Sequence, residues 1–184
     1  IFMVNIRKGD KKMNNKGQIH IYTGNGKGKT TAALGLSLRT ICAGKKVFFG
    51  QFIKGMDYSE LKAVEYLPGF EMQQFGRDCF IYNEPKEEDI LAAKKGLKVC
   101  KEIIKTGDYD LVVLDELNIA LYYKLFPLEE VIEMLKHRAE KVEIVITGRY
   151  ASKELIDQAD LVTEMKEIKH YYKTGLEARK GIEF

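Results

Sequence analysis

The sequence has few residues of the kinds that form disulfides or structural metal sites. It contains only three cysteines and three histidines. The cysteines, Cys42, Cys79 and Cys100, are odd in number and widely spaced, and no Cys-x-x-Cys pair occurs. We therefore expect neither a disulfide framework nor a zinc site, and a reducing cytoplasm fits this composition.

Long apolar runs are also missing. No stretch approaches the ~20 consecutive apolar residues that a membrane-spanning helix needs. The apolar residues 1–4 are followed by Arg7 and Lys8, which makes them too short for the hydrophobic region of a signal peptide. The net charge of +3 is too small to require nucleic acid, although it suits an anionic ligand. We expect no membrane and no nucleic-acid partner.

The chain shows no internal repeat and no long low-complexity linker. Its 184 residues, 45% hydrophobic and 31% charged, are typical of one globular domain that can bury a stable core without disulfides or structural metals. Residues 1–17 are basic and rich in Lys, Asn and Gly, and we interpret them as a flexible arm. Residues 18–184 are predicted to form a single domain.

The most informative segment is the glycine-rich stretch 23–31. It lies between a predicted strand, 18–22, and a predicted helix, 29–43, which is the setting of a phosphate-binding loop. Glycines let successive backbone N–H groups surround an anion, and the helix N-terminus adds its positive dipole end. Lys29 supplies a full charge, and Thr30 a hydroxyl where magnesium is usually bound.

This loop departs from the general phosphate-loop pattern of Gly, four residues, then Gly-Lys-Ser/Thr. Gly28, Lys29 and Thr30 fit the pattern, but Thr23 stands at the first glycine position and Gly24 follows one residue late. The loop is therefore a shortened variant. The dinucleotide-binding fingerprint fits worse, because Lys29 stands where its third glycine belongs. A flexible turn without function is disfavoured by the strand and helix on either side.

A second candidate segment is the apolar run 111–114, which leads into Asp115 and Glu116. In a parallel sheet these acids would lie at the same edge as the phosphate loop. A carboxylate there can meet a magnesium ion held by Thr30, directly or through water. Alone the signal is weak, since an acid often caps the helix after a strand, but together with the loop it predicts a nucleotide site.

Predicted strands alternate with predicted helices along the chain. The predicted strands are 18–22, 46–52, 70–75, 109–114, 142–146 and 161–165. The predicted helices are 29–43, 59–67, 85–106, 118–123, 128–137 and 153–158. This alternation favours an α/β fold with a mostly parallel sheet and helices on both faces. Residues 169–184 carry no clear pattern.

Three further side chains have two interpretations each. Arg149 ends a predicted strand on the ligand side, so it either reaches a phosphate or forms a surface salt bridge. Phe80 and Tyr82 alternate in the loop after the third strand. Such aromatics more often pack against the core than bind a ligand.

Taken together, these motifs resemble the P-loop ATP:corrinoid adenosyltransferases. The matching segments are Tyr22–Ala33, Gln51–Gly55, Val112–Asn118, Ile146–Arg149, Lys169-His170 and Gly181–Phe184. They occur in order and span essentially all of residues 18–184, and the shortened loop is itself a mark of that family.

The resemblance implies a reaction and a fold. The 5′-deoxyadenosyl group of ATP would pass to the cobalt(I) of a reduced corrinoid, releasing triphosphate, in adenosylcobalamin biosynthesis or salvage. Residues 18–184 would form one catalytic nucleotide-binding domain with a RecA-like P-loop NTPase fold. ATP would bind in the reversed sense, with its ribose carbon facing the corrinoid. The resemblance also implies a homodimer, Mg2+ or Mn2+, and a flavoprotein reductase as a possible electron source. In the family the N-terminal arm covers the partner's corrinoid site, although residues 1–17 show no close match.

The resemblance also assigns roles to particular residues. Lys29 and Glu116 would be catalytic, and Thr30 and Glu116 would bind the metal. ATP would contact Gly24, Asn25, Gly26, Lys27, Gly28, Lys29, Thr30, Thr31 and Arg149. Phe80 and Tyr82 would contact the corrinoid, at places where the family has an aromatic pair ending in tryptophan, a residue that this chain lacks.

Two other functions stay open on the residues alone. A P-loop phosphoryl transferase with Glu116 as base would release ADP. A nucleotide-binding regulatory module would bind ATP without turnover.

Overall fold

The strands of the fold build one sheet. The computed structural model describes residues 16–77 and 84–184. The strands in these residues are β1 (Ile19–Thr23), β2 (Val47–Phe52), β3 (Phe70–Phe75), β4 (Leu111–Asp115), β5 (Glu143–Thr147) and β6 (Leu161–Glu164). The α-helices are α1 (Lys29–Cys42), α2 (Ala63–Tyr66), α3 (Glu87–Thr106), α4 (Leu117–Tyr122), α5 (Leu128–Lys136) and α6 (Lys153–Ile156).

The strand order is β3-β2-β4-β5-β1-β6, and every neighbouring pair is parallel. The predicted α/β fold with a parallel sheet is confirmed. All carboxyl ends therefore lie at one edge, where ligands bind in open sheets of this kind. Strand β5 separates β1, which precedes the glycine-rich loop, from β4, which ends in Asp115.

Helices cover both faces of the sheet, as predicted. Helices α3, α4 and α5 pack on one face over a core that includes Ile19, Ile21, Phe48, Phe52, Val112, Leu114, Ile144 and Ile146. Helices α1 and α2 pack on the other, over Val47, Phe49, Leu111, Val113 and Val145. Successive strand residues thus alternate between two buried faces, which explains why the inner strands read as continuous apolar runs.

The elements differ from the sequence prediction in a few places. The helix predicted over 59–67 is a 3-10 turn, Ser59–Lys62, followed by the short α2. The strand predicted over 109–114 is observed as Leu111–Asp115, and just before it the Asp110 carboxylate accepts a hydrogen bond from the Lys46 amide. In 169–184, where no pattern was found, the chain forms a 3-10 turn at Tyr171–Thr174. No helix in the described ranges is long and apolar enough to cross a membrane.

A glycine in α3 gives a prediction about stability. A Cβ added at Gly96 would lie 2.3 Å from Cγ of Phe75, so the helix approaches β3 closely there. We expect Gly96→Ala to lower the free energy of unfolding by about 1–3 kcal/mol, the usual cost of overpacking. Gly35 in α1 is the matched control, since its added Cβ would meet no atom within 4 Å. Gly35→Ala should raise stability by about 0.5–1 kcal/mol through helix propensity. Urea unfolding of both variants tests the contrast, and equal effects would contradict it.

Candidate active site

The glycine-rich loop is shaped by two glycines and by the end of β6. Gly24 and Gly28 have backbone φ angles of 93° and 118°, which residues other than glycine rarely adopt. The Gly26 amide donates to the Met165 carbonyl at 2.7 Å, and the Met165 amide donates to the Thr23 carbonyl at 2.8 Å. The first half of the loop is therefore held, at Thr23 and Gly26, against Met165, the residue that follows β6.

Lys29, the first residue of α1, is nearly buried, with 8% of its surface exposed. Its Nζ donates to the carbonyls of Gly24 and Gly26, each at 2.8 Å. Burial lowers the pKa of Lys29, an effect opposed by the negative charge of Glu116. The loop thus fixes the position of the Lys29 ammonium at its centre.

Asp115 is completely buried at the carboxyl end of β4. Its Oδ1 accepts from the hydroxyls of Thr30 at 2.9 Å and Thr147 at 2.6 Å. Its Oδ2 accepts from Lys54 Nζ at 2.9 Å and from Gln51 Nε2 at 3.3 Å. This carboxylate therefore joins α1, β5 and the end of β2.

Glu116 follows Asp115 in the chain but has a different environment. Its backbone is left-handed, with φ 59°, and its amide donates to Thr147 Oγ1 at 3.0 Å. It occupies the N-cap position of α4, yet its side chain makes no capping hydrogen bond. Burial raises the pKa of Glu116, and the negative charge of Asp115 raises it further. The direct contact of Thr30 is thus with Asp115, while Glu116 lines the open space beside it.

Lys54 is the cation that faces Asp115. Burial alone would lower the pKa of Lys54, but the charge and hydrogen bond of Asp115 outweigh burial and raise it. The Lys54 ammonium also lies 5.2 Å from the centre of the Tyr58 ring and 3.9 Å from Glu60 Oε1. Composition and spacing alone gave no sign that Tyr58 and Glu60 belong to the site, because neither is part of a motif: Tyr58 precedes the 3-10 turn Ser59–Lys62 and Glu60 lies within it.

These groups surround one space, the loop cleft, with a volume of about 640 Å³. The sequence-predicted residues that line it are Asn25, Gly26, Lys27, Gly28, Lys29, Thr30, Thr31, Glu116 and Arg149. Gly24 lies just behind them, where its carbonyl binds Lys29. The sequence is compatible with two roles for Arg149, a contact with the ligand and a surface ion pair. Arg149 lines the cleft, and its charge helps lower the pKa of Lys29.

The chain after β6 returns to cover one side of the loop cleft. Lys27 Nζ donates to Glu183 Oε1 at 2.7 Å and to the Tyr171 hydroxyl at 2.8 Å, and Tyr171 donates to the same carboxylate. The hydrogen bond from Lys27 is the main reason that the pKa of Glu183 is well below its usual range. Because its ammonium is engaged by Glu183, Lys27 offers the cleft mainly its backbone amide. The patterns in 169–184 did not predict this contact.

The oxygen donors beside the loop suit a magnesium ion. No group of three or more His, Cys, Asp or Glu side chains in the described ranges is placed to hold a metal. Magnesium nevertheless needs only one or two protein oxygens when phosphate and water complete its shell. Thr30 and Glu116 line the same cleft and fit that requirement. The predicted corrinoid contacts, Phe80 and Tyr82, lie outside the described residues.

Comparison with known proteins gives a consistent set of relatives. The sequence model of the family described as ATP:corrinoid adenosyltransferase BtuR/CobO/CobP matches residues 15–184. A corrinoid adenosyltransferase from Sinorhizobium sp is 38% identical, over 94% of this chain and 83% of that protein. The corrinoid adenosyltransferase of Escherichia coli K12 is 35% identical, over 92% and 86%. The corrinoid adenosyltransferase CobA of Salmonella typhimurium is 36% identical, over 92% and 86%.

Proposed function

Since this chain belongs to the ATP:corrinoid adenosyltransferase family, we propose that the loop cleft is where it binds ATP for that reaction. The protein is a corrinoid adenosyltransferase and transfers the adenosyl group of ATP to a corrinoid in cobalamin biosynthesis. The observation that carries the site assignment is the loop cleft itself. It gathers the glycine-rich loop, the Lys29 ammonium, Glu116 and Arg149 around one space.

The triphosphate of ATP would lie against the loop. The amides of residues 24, 25, 27 and 28 and the N-terminus of α1 would donate hydrogen bonds to phosphate oxygens, whereas the Gly26 amide is already bonded to the Met165 carbonyl. Lys29 would exchange its bonds to the Gly24 and Gly26 carbonyls for bonds to phosphate. Arg149, which also lines the cleft, would add a second charge. These groups stabilise a leaving group that departs with several negative charges.

The reacting atoms would be the cobalt(I) of the reduced corrinoid and the 5′-carbon of ATP. Cobalt(I) donates an electron pair to that carbon, a cobalt–carbon bond forms, and the bond from carbon to the triphosphate oxygen breaks. The corrinoid is itself the nucleophile, so the protein has to align the two substrates and stabilise triphosphate. Thr23, standing where the usual first glycine would be, shortens the loop and motivates a reversed ATP that presents its 5′-carbon to the corrinoid.

We further propose that Mg2+, or Mn2+, binds beside Thr30 and Glu116. When bound, the ion would supply positive charge to the triphosphate oxygens. The hydrogen bond from Thr30 to Asp115 holds the threonine hydroxyl at the end of β4, next to Glu116. Asp115 is then a positioning residue.

Several expectations go further. Phe80 and Tyr82 would form an apolar wall at the corrinoid. The enzyme would act as a homodimer in the cytoplasm, with a flavoprotein reductase supplying electrons to the corrinoid. The flexible arm would end near residue 17. Gly17 itself lies on the domain, where its amide donates to the Glu140 carbonyl at 2.8 Å.

The product of ATP tests the proposed reaction. We expect intact inorganic triphosphate in a one-to-one ratio with a light-sensitive cobalt–carbon product when the protein is mixed with ATP, magnesium and chemically reduced cobalamin. Phosphorus NMR and the visible spectrum of the corrinoid measure the two products. Formation of ADP without triphosphate would instead indicate a phosphoryl transferase, and ATP binding without any product would indicate a regulatory module.

A change at Glu116 separates its role from that of Asp115. We expect Glu116→Gln to lower kcat by about tenfold or more, to change ATP affinity by less than about threefold, and to be partly rescued by extra magnesium. Magnesium titrations of kcat, with ATP affinity from calorimetry, measure these effects. A wild-type magnesium dependence in the variant would contradict the metal role and favour Asp115.

The same variant should be no less stable than the wild type. Because the pKa of Glu116 is raised in the folded state, its contribution favours folding at low pH and is lost as pH rises through that pKa. Glutamine does not ionise, so the variant does not lose this stabilising free energy as pH rises. Thermal unfolding at neutral pH should therefore occur at an equal or higher temperature. A lower unfolding temperature would mean that the ionised carboxylate stabilises the fold.

A further inference from the structure

Two tyrosines at the carboxyl edge of the sheet stack on each other while remaining open to solvent. Tyr122 ends α4, and Tyr150 follows β5 by three residues. Their ring centres are 4.4 Å apart, and the rings are inclined by 31°. Tyr122 is 57% exposed and Tyr150 is 53% exposed. Burial in the core therefore does not account for this pair.

The backbone around the pair is strained. Among the described residues, four non-glycine residues have positive φ angles, namely Ile53, Glu116, Lys124 and Tyr150. For a bulky side chain such as that of tyrosine, this conformation is unfavourable, and residues held in it cluster at functional sites. All four line one of two neighbouring cavities on this edge of the sheet.

The smaller of these, the side cavity, connects the pair with the loop cleft. It has a volume of about 410 Å³ and is lined by Tyr122 and Tyr150, by Ile53, Ile119 and Tyr123, and by four residues that also line the loop cleft. The shared residues are Lys54, Tyr58, Glu116 and Arg149. A molecule in the side cavity would therefore lie directly beside a nucleotide in the loop cleft.

The larger of the two cavities, the outer cavity, shares the tyrosine pair with the side cavity. Its volume is about 680 Å³, and Tyr122 and Tyr150 line it as well. The remaining lining is mainly apolar, with Leu121, Leu125, Phe126, Pro127 and Leu128. Four polar residues also line it, namely Lys94, Asn118, Lys124 and Ser152. The tyrosine pair thus belongs to one continuous lining that leads from the loop cleft to an apolar surface.

We propose that Tyr122 and Tyr150 form an aromatic platform that positions the corrinoid beside ATP. The proposal rests on the adenosyl transfer described above. The adenine base, with its two fused rings, would fill only part of the side cavity, whereas a corrin macrocycle is large enough to extend over both cavities. Its apolar edges suit the rings and leucines, and its neutral carboxamide arms suit the phenol hydroxyls and the amino groups of Lys94 and Lys124.

The tyrosine platform positions the corrinoid, and its shape determines which corrinoids fit. Ring contacts of this kind exist both before and during the reaction, so their loss should raise KM for the corrinoid more than it lowers kcat. ATP is bound through the loop and should be unaffected. The two tyrosines are therefore positioning residues that help determine which corrinoid is accepted.

Substitutions that remove the rings test this assignment. Tyr150→Gly suits a positive φ angle, and Tyr122→Ala changes only the last residue of α4. Each should raise KM for chemically reduced cobalamin by about 3–10-fold and the double variant by about 10–100-fold, with KM for ATP within about twofold of wild type. Tyr122→Phe and Tyr150→Phe should stay within about threefold. Tyr66→Ala, at a 73% exposed tyrosine outside both cavities, is the matched control and should change neither KM.

Binding and stability measurements distinguish the outcomes. Titration of the ATP-bound protein with hydroxocobalamin should show the same weakening in the double variant, and Tyr150→Gly should unfold at an equal or higher temperature. A raised KM for ATP instead of cobalamin would mean that the rings hold adenine, and a changed oligomeric state with unchanged KM would make them an interface between copies. Either result would contradict the tyrosine platform but not the proposed function. Unchanged KM values for cobalamin and ATP in active variants would do the same. A wild-type protein that neither binds nor adenosylates cobalamin overturns the proposed function and the platform with it.

Discussion

Lys29→Ala is expected to weaken ATP binding by about 100-fold or more while the protein stays folded. The Lys29 ammonium lies inside the glycine-rich loop and donates hydrogen bonds to the Gly24 and Gly26 carbonyls. A unit charge about 4 Å from a phosphate contributes about 4 kcal/mol at the effective dielectric of a protein surface. Some of this energy is offset because Lys29 must release the two carbonyls. The remainder still corresponds to about two orders of magnitude, at about 1.4 kcal/mol for each tenfold change.

The fold should tolerate the loss of this charge. Burial already disfavours the charged form of Lys29, as its lowered pKa indicates. Lys29→Met keeps the volume of the side chain without the charge and is the second variant. Calorimetric titration with ATP and magnesium gives the affinity, and thermal unfolding confirms that the comparison is between folded proteins.

Lys27→Ala is the matched control in the same loop. The Lys27 ammonium is held by Glu183 and Tyr171 in the covering segment, so its removal should change ATP affinity by less than about fivefold. Equal losses at Lys27 and Lys29, or unchanged ATP affinity in folded Lys29→Ala, would contradict the assignment of the loop.

ATP affinity is also expected to depend on pH, because Lys29 loses its charge as pH rises. In the proposed site Lys29 binds phosphate in its charged form, which predominates in the free protein below the lowered pKa. ATP affinity should therefore fall as pH rises through that value, at a lower pH than for an unperturbed lysine. In Lys29→Met this alkaline decline should be missing.

The sequence allowed the loop and its strand to be predicted because their signals are local. Gly24 and Gly28 occupy positions that require positive φ, and an apolar run led directly to Asp115. Parallel pairing then places the ends of β2, β4 and β5 at one edge, so that Gln51 and Thr147 also reach the Asp115 carboxylate.

Other features of the site depend on contacts between distant segments. Asp115 and Glu116 are adjacent in sequence, and only the turn after β4 sends one to Thr30 and leaves the other lining the cleft. The contact between Lys27 and Glu183 joins residues 156 positions apart, which leaves no periodic trace in the sequence. The strained backbone of Tyr150 is likewise set by tertiary structure, since nothing in its residue type suggests a positive φ.

Asp115→Asn is expected to remove both stability and turnover. The Asp115 carboxylate is the buried counter-charge of Lys54, whose Nζ lies 2.9 Å from Oδ2. Removing one partner of a buried ion pair typically costs 3–5 kcal/mol. Lys54 would keep only the more distant carboxylate of Glu60, 3.9 Å away. We expect a loss of about 3 kcal/mol, or about 6–12 °C in the unfolding temperature of a chain this long. The kcat should fall by about 100-fold, because the single neutral oxygen of asparagine cannot accept from both Thr30 and Lys54, which weakens the bond that would hold the Thr30 hydroxyl beside the phosphates in the proposed site.

A second substitution separates the two effects. In Asp115→Asn combined with Lys54→Met, no unpaired charge is left at the end of β4. Stability should therefore recover by at least about 2 kcal/mol relative to Asp115→Asn. Turnover should stay low, because the bond that orients Thr30 is still weakened. Urea unfolding and steady-state rates with reduced cobalamin measure the two quantities on the same protein samples. Recovery of turnover together with stability would mean that Asp115 only balances Lys54, and the positioning of Thr30 would then have to be assigned to Thr147 or Glu116.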